Sequence, residues 1–141
     1  NGKDNKRPFV FTKDVVRAYL TVIDAPKHKI AGEIFNIGSN EQNVTMIDLA
    51  NQIINSIGEP CETVIQGTND LRSYFASFDK IKNILNFTTN YSIGDGAKEI
   101  HQALKNKTIS DTIKTKTVDW YRYLLNNQET SKDYMINNNL F

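Results

Sequence analysis

The stretch "RPFVFTKDVVRAYL", residues 7–20, decides how the rest of this chain is read. Phe9, Val10 and Phe11 are strand formers, and they predict a short strand over 8–11. Thr12 is a candidate helix N-cap. Asp14 stands in the first turn, where the helix dipole favours an acid. Val15, Val16, Tyr19, Leu20 and Ile23 recur at helical spacing and predict an amphipathic helix over 13–24, ended by Pro26. A strand that passes directly into an amphipathic helix is a building unit of a layered α/β fold.

The same alternation continues downstream. "KHKIAGE" reads as a polar link, and "EIFNIG" (33–38) as a strand stopped by Gly38. "SNEQNV" is a loop carrying Asn43. Thr45 and Asp48 make an [ST]-x-x-[DE] capping signature, followed by Leu49, Ile53, Ile54 and Ile57 and closed by Gly58. "ETVIQ" (62–66) predicts a strand, "GTNDLRS" (67–73) a loop, and "YFASF" (74–78) an extended segment. "DKIKNILNF" (79–87) reads as a short helix. Ser92 and Asp95 repeat the capping signature before a helix through Ile100 and Leu104. "VDWYRYLL" (118–125) fits helix or strand, and residues 127–141 read as a flexible tail. The expected fold class is α/β: sheet-edge strands followed by a small mixed lobe.

Composition bounds the partners. The 141 residues are enough for one domain with a core. With 17 basic and 16 acidic side chains, the net charge is +1. That balance argues against a nucleic-acid backbone or an acidic membrane surface as partner. No apolar run approaches the roughly 18 residues of a membrane helix. Cys61 is the single cysteine and has no partner for an intrachain disulfide, so a reducing, cytoplasmic setting is expected. Its simplest reading is a small buried side chain.

No complete catalytic set is legible. The glycines, at 2, 32, 38, 58, 67, 94 and 96, never fall into G-x-G-x-x-G spacing, and no P-loop is present. His28 and His101 stand far apart in sequence and suggest no metal site. A tyrosine acid/base would gain from a lysine four residues on, which lowers the phenol pKa. None of the six tyrosines has one. A binding inventory remains: Arg7 before a strand, Asn43 in a loop before a capped helix, and Asp70 and Arg72 in "NDLRSY". Two arginines and an amide are suited to a pyrophosphate, because guanidinium groups make forked, charge-assisted hydrogen bonds to phosphate oxygens.

Taken in order, "RPFVFTKDVVRAYL", "GEIFNIGSNEQNVTMIDLA", "DLRSYFASFDKIKNILNF" and "YSIGDGAKEI" resemble the carboxy-terminal portion of the NAD-dependent epimerase/dehydratase family. These are extended short-chain dehydrogenases acting on nucleotide sugars, and the resemblance runs over about residues 6–104. It implies a Rossmann-type sheet for NAD or NADP, and a smaller lobe for the nucleoside diphosphate hexose. It also implies that the glycine fingerprint, the catalytic Tyr and Lys, and the helices of the usual homodimer belong to an amino-terminal half absent here. On that reading the chain is the rear part of a longer enzyme, inactive alone and binding no cofactor by itself. Arg7 inherits a phosphate contact, Asn43 a nucleotide contact, and Asp70 a contact to ribose or phosphate. An arginine common a few residues before that aspartate is missing, the stretch here being "QGTN", and Arg72 is the available replacement. Phe11 stands where the family often has histidine. The alternative is a stand-alone, non-catalytic module that binds a nucleotide sugar or a protein.

Overall fold

A computed structural model describes residues 2–66, 72–127, 132–137 and 139–140. The chain divides into two units, residues 1–102 and 103–141. Among the described residues the secondary structure is mixed and mostly helical, with two small two-stranded sheets.

In the first unit, β1 (Lys6–Pro8) pairs antiparallel with β2 (Asn43–Thr45), placing Arg7 opposite Val44 and Pro8 opposite Asn43. The Phe9 N–H donates to the Gln42 carbonyl at 3.0 Å and ends the ladder. The strand thus lies earlier than the 8–11 expected from Phe9–Phe11. In this register residues 10 and 11 would face 41 and 40, and Asn40–Gln42 is wound into a 3-10 turn that offers no strand edge. Asn43 accordingly sits on a strand rather than in a loop.

Helix α1 (Thr12–Ile23) starts one residue before its expected range, and Phe11 rather than Thr12 occupies the N-cap position. The helix buries Asp14 and Ala18. Its apolar stripe faces outward: Val16 is 54%, Leu20 55% and Ile23 71% exposed. Besides Ala18, α1 turns inward the Asp14 carboxylate, whose oxygens accept the main-chain N–H groups of Asn90 and Tyr91. A short helix α2 (Lys27–Ile30) replaces the expected polar link.

Helix α3 (Met46–Ile57) begins and ends where its local signals place it. The Asp48 N–H donates to Thr45 Oγ1 at 3.1 Å. Gly58 closes the helix at φ 72°, with its N–H on the Ile54 carbonyl. Helix α4 (Asp79–Leu85) is closed by Asn86 at φ 52°. Helix α5 (Ile93–Lys105) carries the full reciprocal cap, with Ser92 N–H on Asp95 at 2.8 Å and Asp95 N–H on Ser92 Oγ at 3.2 Å. That hydroxyl and N–H hold the Asp95 carboxyl below its ordinary pKa.

The core gathers Ala18 of α1, Phe78, Ile81 of α4 and Phe87, with Phe35, Ile37, Ala76 and Leu85 packed on it. Gly38 is required here, because a Cβ would lie 2.6 Å from the Phe78 ring. Phe11 packs on α5, since a Cβ at Gly96 would stand 3.0 Å from its ring, and Tyr91 lies 5.1 Å from it between centroids. Phe9, Phe11, Leu49, Ile53, Ala97 and Ile100 line an apolar groove of about 270 Å³.

Two expected strands do not form. Residues 33–38 and 62–66 have no strand pairing among the described residues, and Ile34 is 83%, Val64 71% and Ile65 56% exposed. Strand propensity describes how a residue fits a sheet, and it makes no strand where there is no neighbouring edge. The sheet-edge part of the expected fold is corrected accordingly. Cys61 is exposed, not buried.

In the second unit, "VDWYRYLL" is helical, within α6 (Thr117–Asn126). Leu124 is buried, and Trp120 stacks on Tyr123 at 5.4 Å with Tyr134 edge-on at 6.1 Å. Strands β3 (Met135–Ile136) and β4 (Asn139–Leu140) pair antiparallel. They fall within the range 127–141 that the sequence marks as a flexible tail.

Candidate functional site

The binding candidates Arg7 and Arg72 meet on one tyrosine. The Tyr74 N–H donates to the Lys6 carbonyl at 2.9 Å, and the Lys6 N–H donates to Ser73 Oγ at 3.0 Å. These bonds lay residues 73–74 alongside β1. Residues 72 and 74 then share one side of the extended segment, because successive side chains alternate. The Arg7 guanidinium lies 4.7 Å from the Tyr74 ring centroid, and that of Arg72 lies 5.8 Å from it. Arg7 Nη1 also donates to the main-chain carbonyls of Lys6 and Arg72. Each cation–π contact of this exposed kind contributes about 0.5–1 kcal/mol. Lys6 Nζ stands 5.7 Å from the Phe75 ring centroid.

The chemistry this permits is anion recognition. Two guanidinium groups near one ring supply planar, permanently charged donors that match phosphate oxygens. Their mutual repulsion is offset by the ring quadrupole and by the Arg72 carbonyl.

Asn43 holds the chain together here. Its Oδ1 accepts the Ala76 N–H at 3.0 Å, and its Nδ2 donates to the carbonyls of Ala76 (2.9 Å) and Asn40 (3.1 Å). One carboxamide thus gives Ala76 the pair of bonds a neighbouring strand would give. Asn40 repeats the device one step on: its Oδ1 accepts the Phe78 N–H at 3.0 Å, and its Nδ2 donates to Asp79 at 2.7 Å. Asn36 Nδ2 donates to the Ser77 carbonyl at 3.2 Å. Side-chain amides therefore fasten the extended segment 74–78 that carries Tyr74. Ser77, then Asn40, lower the pKa of Asp79 by hydrogen-bonding its charged form.

Asp70 lies outside the described residues. Tyr74 is the residue that sequence reasoning missed, having been weighed only as an acid paired with a downstream lysine. The spacing Arg72-Ser73-Tyr74 in an extended segment was the available signal, since it places arginine and ring on one side. The partnership with Arg7 needs the β1 register, which no local pattern carries.

Among the described residues no group of histidine, cysteine and acidic side chains is placed to hold a metal. No described helix is long and apolar enough to cross a membrane. Among the described residues the positive-φ glycines Gly32, Gly38 and Gly58 occur singly, at helix ends and a loop, and no glycine-rich strand-to-helix turn is formed.

The sequence model of the NAD dependent epimerase/dehydratase family matches residues 1–38, which contain Arg7, β1, α1 and α2. No curated protein and no solved structure matches the chain. A relationship to the NAD dependent epimerase/dehydratase family is thus supported over residues 1–38.

Proposed function

We propose that this chain is the carboxy-terminal, nucleotide-sugar-binding part of an NAD-dependent epimerase or dehydratase, and that Arg7 and Arg72 hold the nucleoside diphosphate. The observation that carries the reading is their convergence on Tyr74 from positions 65 apart in sequence. Arg7 lies inside the family match, on β1. Asp70 completes the proposed contacts to phosphate or ribose, and Asn43 serves by fastening the 74–78 segment.

The role of such a lobe is positioning. Binding energy from a diphosphate remote from the reacting carbon can fix the sugar for hydride transfer. NAD or NADP would supply that redox chemistry in the complete enzyme, on residues outside this chain. The exposed apolar stripe of α1 and the unpaired strand-like segments 33–38 and 62–66 support a missing neighbour, as a sheet and helix layer would cover such surfaces. Alone, the chain is expected to bind nucleotide weakly, to bind NAD no better than other dinucleotides, and to turn nothing over.

Titration of the 141-residue chain with UDP, followed by NMR, tests the reading. Saturable shifts at Arg7, Arg72 and Tyr74 are expected. Turnover of a nucleotide sugar, or tight NAD binding, would contradict it.

A further inference from the structure

We infer that Tyr74 is a positioning residue that sets the spacing and direction of the Arg7 and Arg72 guanidinium groups, so that the two act on one diphosphate. The inference rests on the anion-binding reading and adds a third residue to it. Three observations point to Tyr74. Both guanidinium carbons lie within 5.8 Å of this one ring centroid. The Tyr74 N–H is bonded to the Lys6 carbonyl, which fixes the ring to the strand that bears Arg7. The Arg7 side chain in turn donates to the carbonyl of Arg72, two residues before the ring, so the ring and both cations are tied into one loop of contacts.

The physical need is clear. Two like charges on long side chains separate in water, and each loses rotamer freedom when a ligand draws it in. A ring face attracts a cation at any point of approach without consuming its hydrogen-bond donors, whereas a carboxylate would neutralise it. Tyr74 also gives specificity of form. A diphosphate can reach two guanidinium groups at once, and a monophosphate has only one phosphorus centre to share.

The test compares Tyr74→Leu with Tyr74→Phe in the 141-residue chain, using inorganic pyrophosphate, inorganic phosphate and UDP as probes. Tyr74→Phe keeps the ring face and should bind pyrophosphate within about twofold of the unaltered chain. Tyr74→Leu keeps bulk and the N–H but not the quadrupole, and should weaken pyrophosphate binding about fivefold to tenfold. Phosphate binding should change less than pyrophosphate binding. Pyrophosphate affinity that falls with Arg7→Ala but not with Tyr74→Leu would overturn the inference and leave the anion-binding reading standing. Affinity indifferent to Arg7→Ala and Arg72→Ala would overturn both. A ligand-free measurement on the unaltered chain stands apart from folding of the variants: nuclear Overhauser contacts from the Tyr74 ring protons to the side chains of both Arg7 and Arg72. Their absence would overturn the inference directly.

Discussion

Both carboxylate oxygens of Asp14 accept the main-chain N–H of Asn90, at 2.9 and 3.1 Å, and Asp14 is fully buried. One of them also accepts from Tyr91 at 3.0 Å, and Arg17 Nη1 pairs with the other at 2.5 Å. A single acid thus joins the first turn of α1 to the segment leading into α5. Asp14→Ala would strand two main-chain donors and remove the carboxylate partner of the part-exposed Arg17, which keeps the Thr88 carbonyl, and should cost about 2–4 kcal/mol of stability. Asp14→Asn, which keeps one acceptor, should cost less. Urea denaturation of the two variants measures both values, and a change under about 0.5 kcal/mol for Asp14→Ala would contradict the arrangement.

Asn43→Ala removes three hydrogen bonds from the segment that carries Tyr74. A stability loss of about 1–3 kcal/mol is expected, with weaker nucleotide binding as a consequence. Weaker binding at unchanged stability would make Asn43 a direct ligand contact instead. Thermal melts run beside UDP titrations separate these outcomes.

Asp79 and Asp95 both hold carboxyl pKa values below the ordinary 3.8, through Ser77 and Ser92 respectively. A depressed native value means that the unfolded chain binds the proton more readily. The stabilisation is therefore complete above the unfolded value and is lost as pH falls through the native one. Melting temperature should drop along an acid limb that begins near 3.8 and continues below it. Ser92→Ala should make that limb shallower, because the native Asp95 carboxyl then titrates closer to its unfolded value. A limb unchanged by this substitution would contradict the capping role of the pair.

The outward stripe of α1 predicts that Leu20→Lys and Ile23→Lys, at positions 55% and 71% exposed, change stability by no more than about 0.5 kcal/mol. The same changes should reduce self-association of the chain, since they break an exposed apolar patch. Sedimentation reads the association and denaturant melts read the stability. A loss above about 2 kcal/mol would mean that the stripe is already covered.

These particular residues also mark what a sequence can and cannot carry. The Thr45–Asp48 and Ser92–Asp95 caps were legible because donor and acceptor stand three residues apart. The strands read over 33–38 and 62–66 were not formed, because pairing needs an edge from elsewhere, and propensity alone contains no partner. The burial of Asp14 on α1 was not legible for a related reason. Asp14 is affordable inside only because Asn90 and Tyr91 meet it, and that meeting is non-local. At the candidate site, Arg7 and Arg72 were readable one at a time from their chemistry. Their common platform, Tyr74, emerged only with the Lys6–Tyr74 register.

The measurement closest to the central claim is the UDP affinity of the unaltered chain against that of the Arg7→Ala, Arg72→Ala double variant, both checked for unchanged melting temperature. Each arginine making a charged hydrogen bond is expected to contribute about 1.5–3 kcal/mol, so the double variant should bind at least a hundredfold more weakly, about 3 kcal/mol. Equal affinity in the two proteins would contradict the assignment of Arg7 and Arg72 to a nucleoside diphosphate.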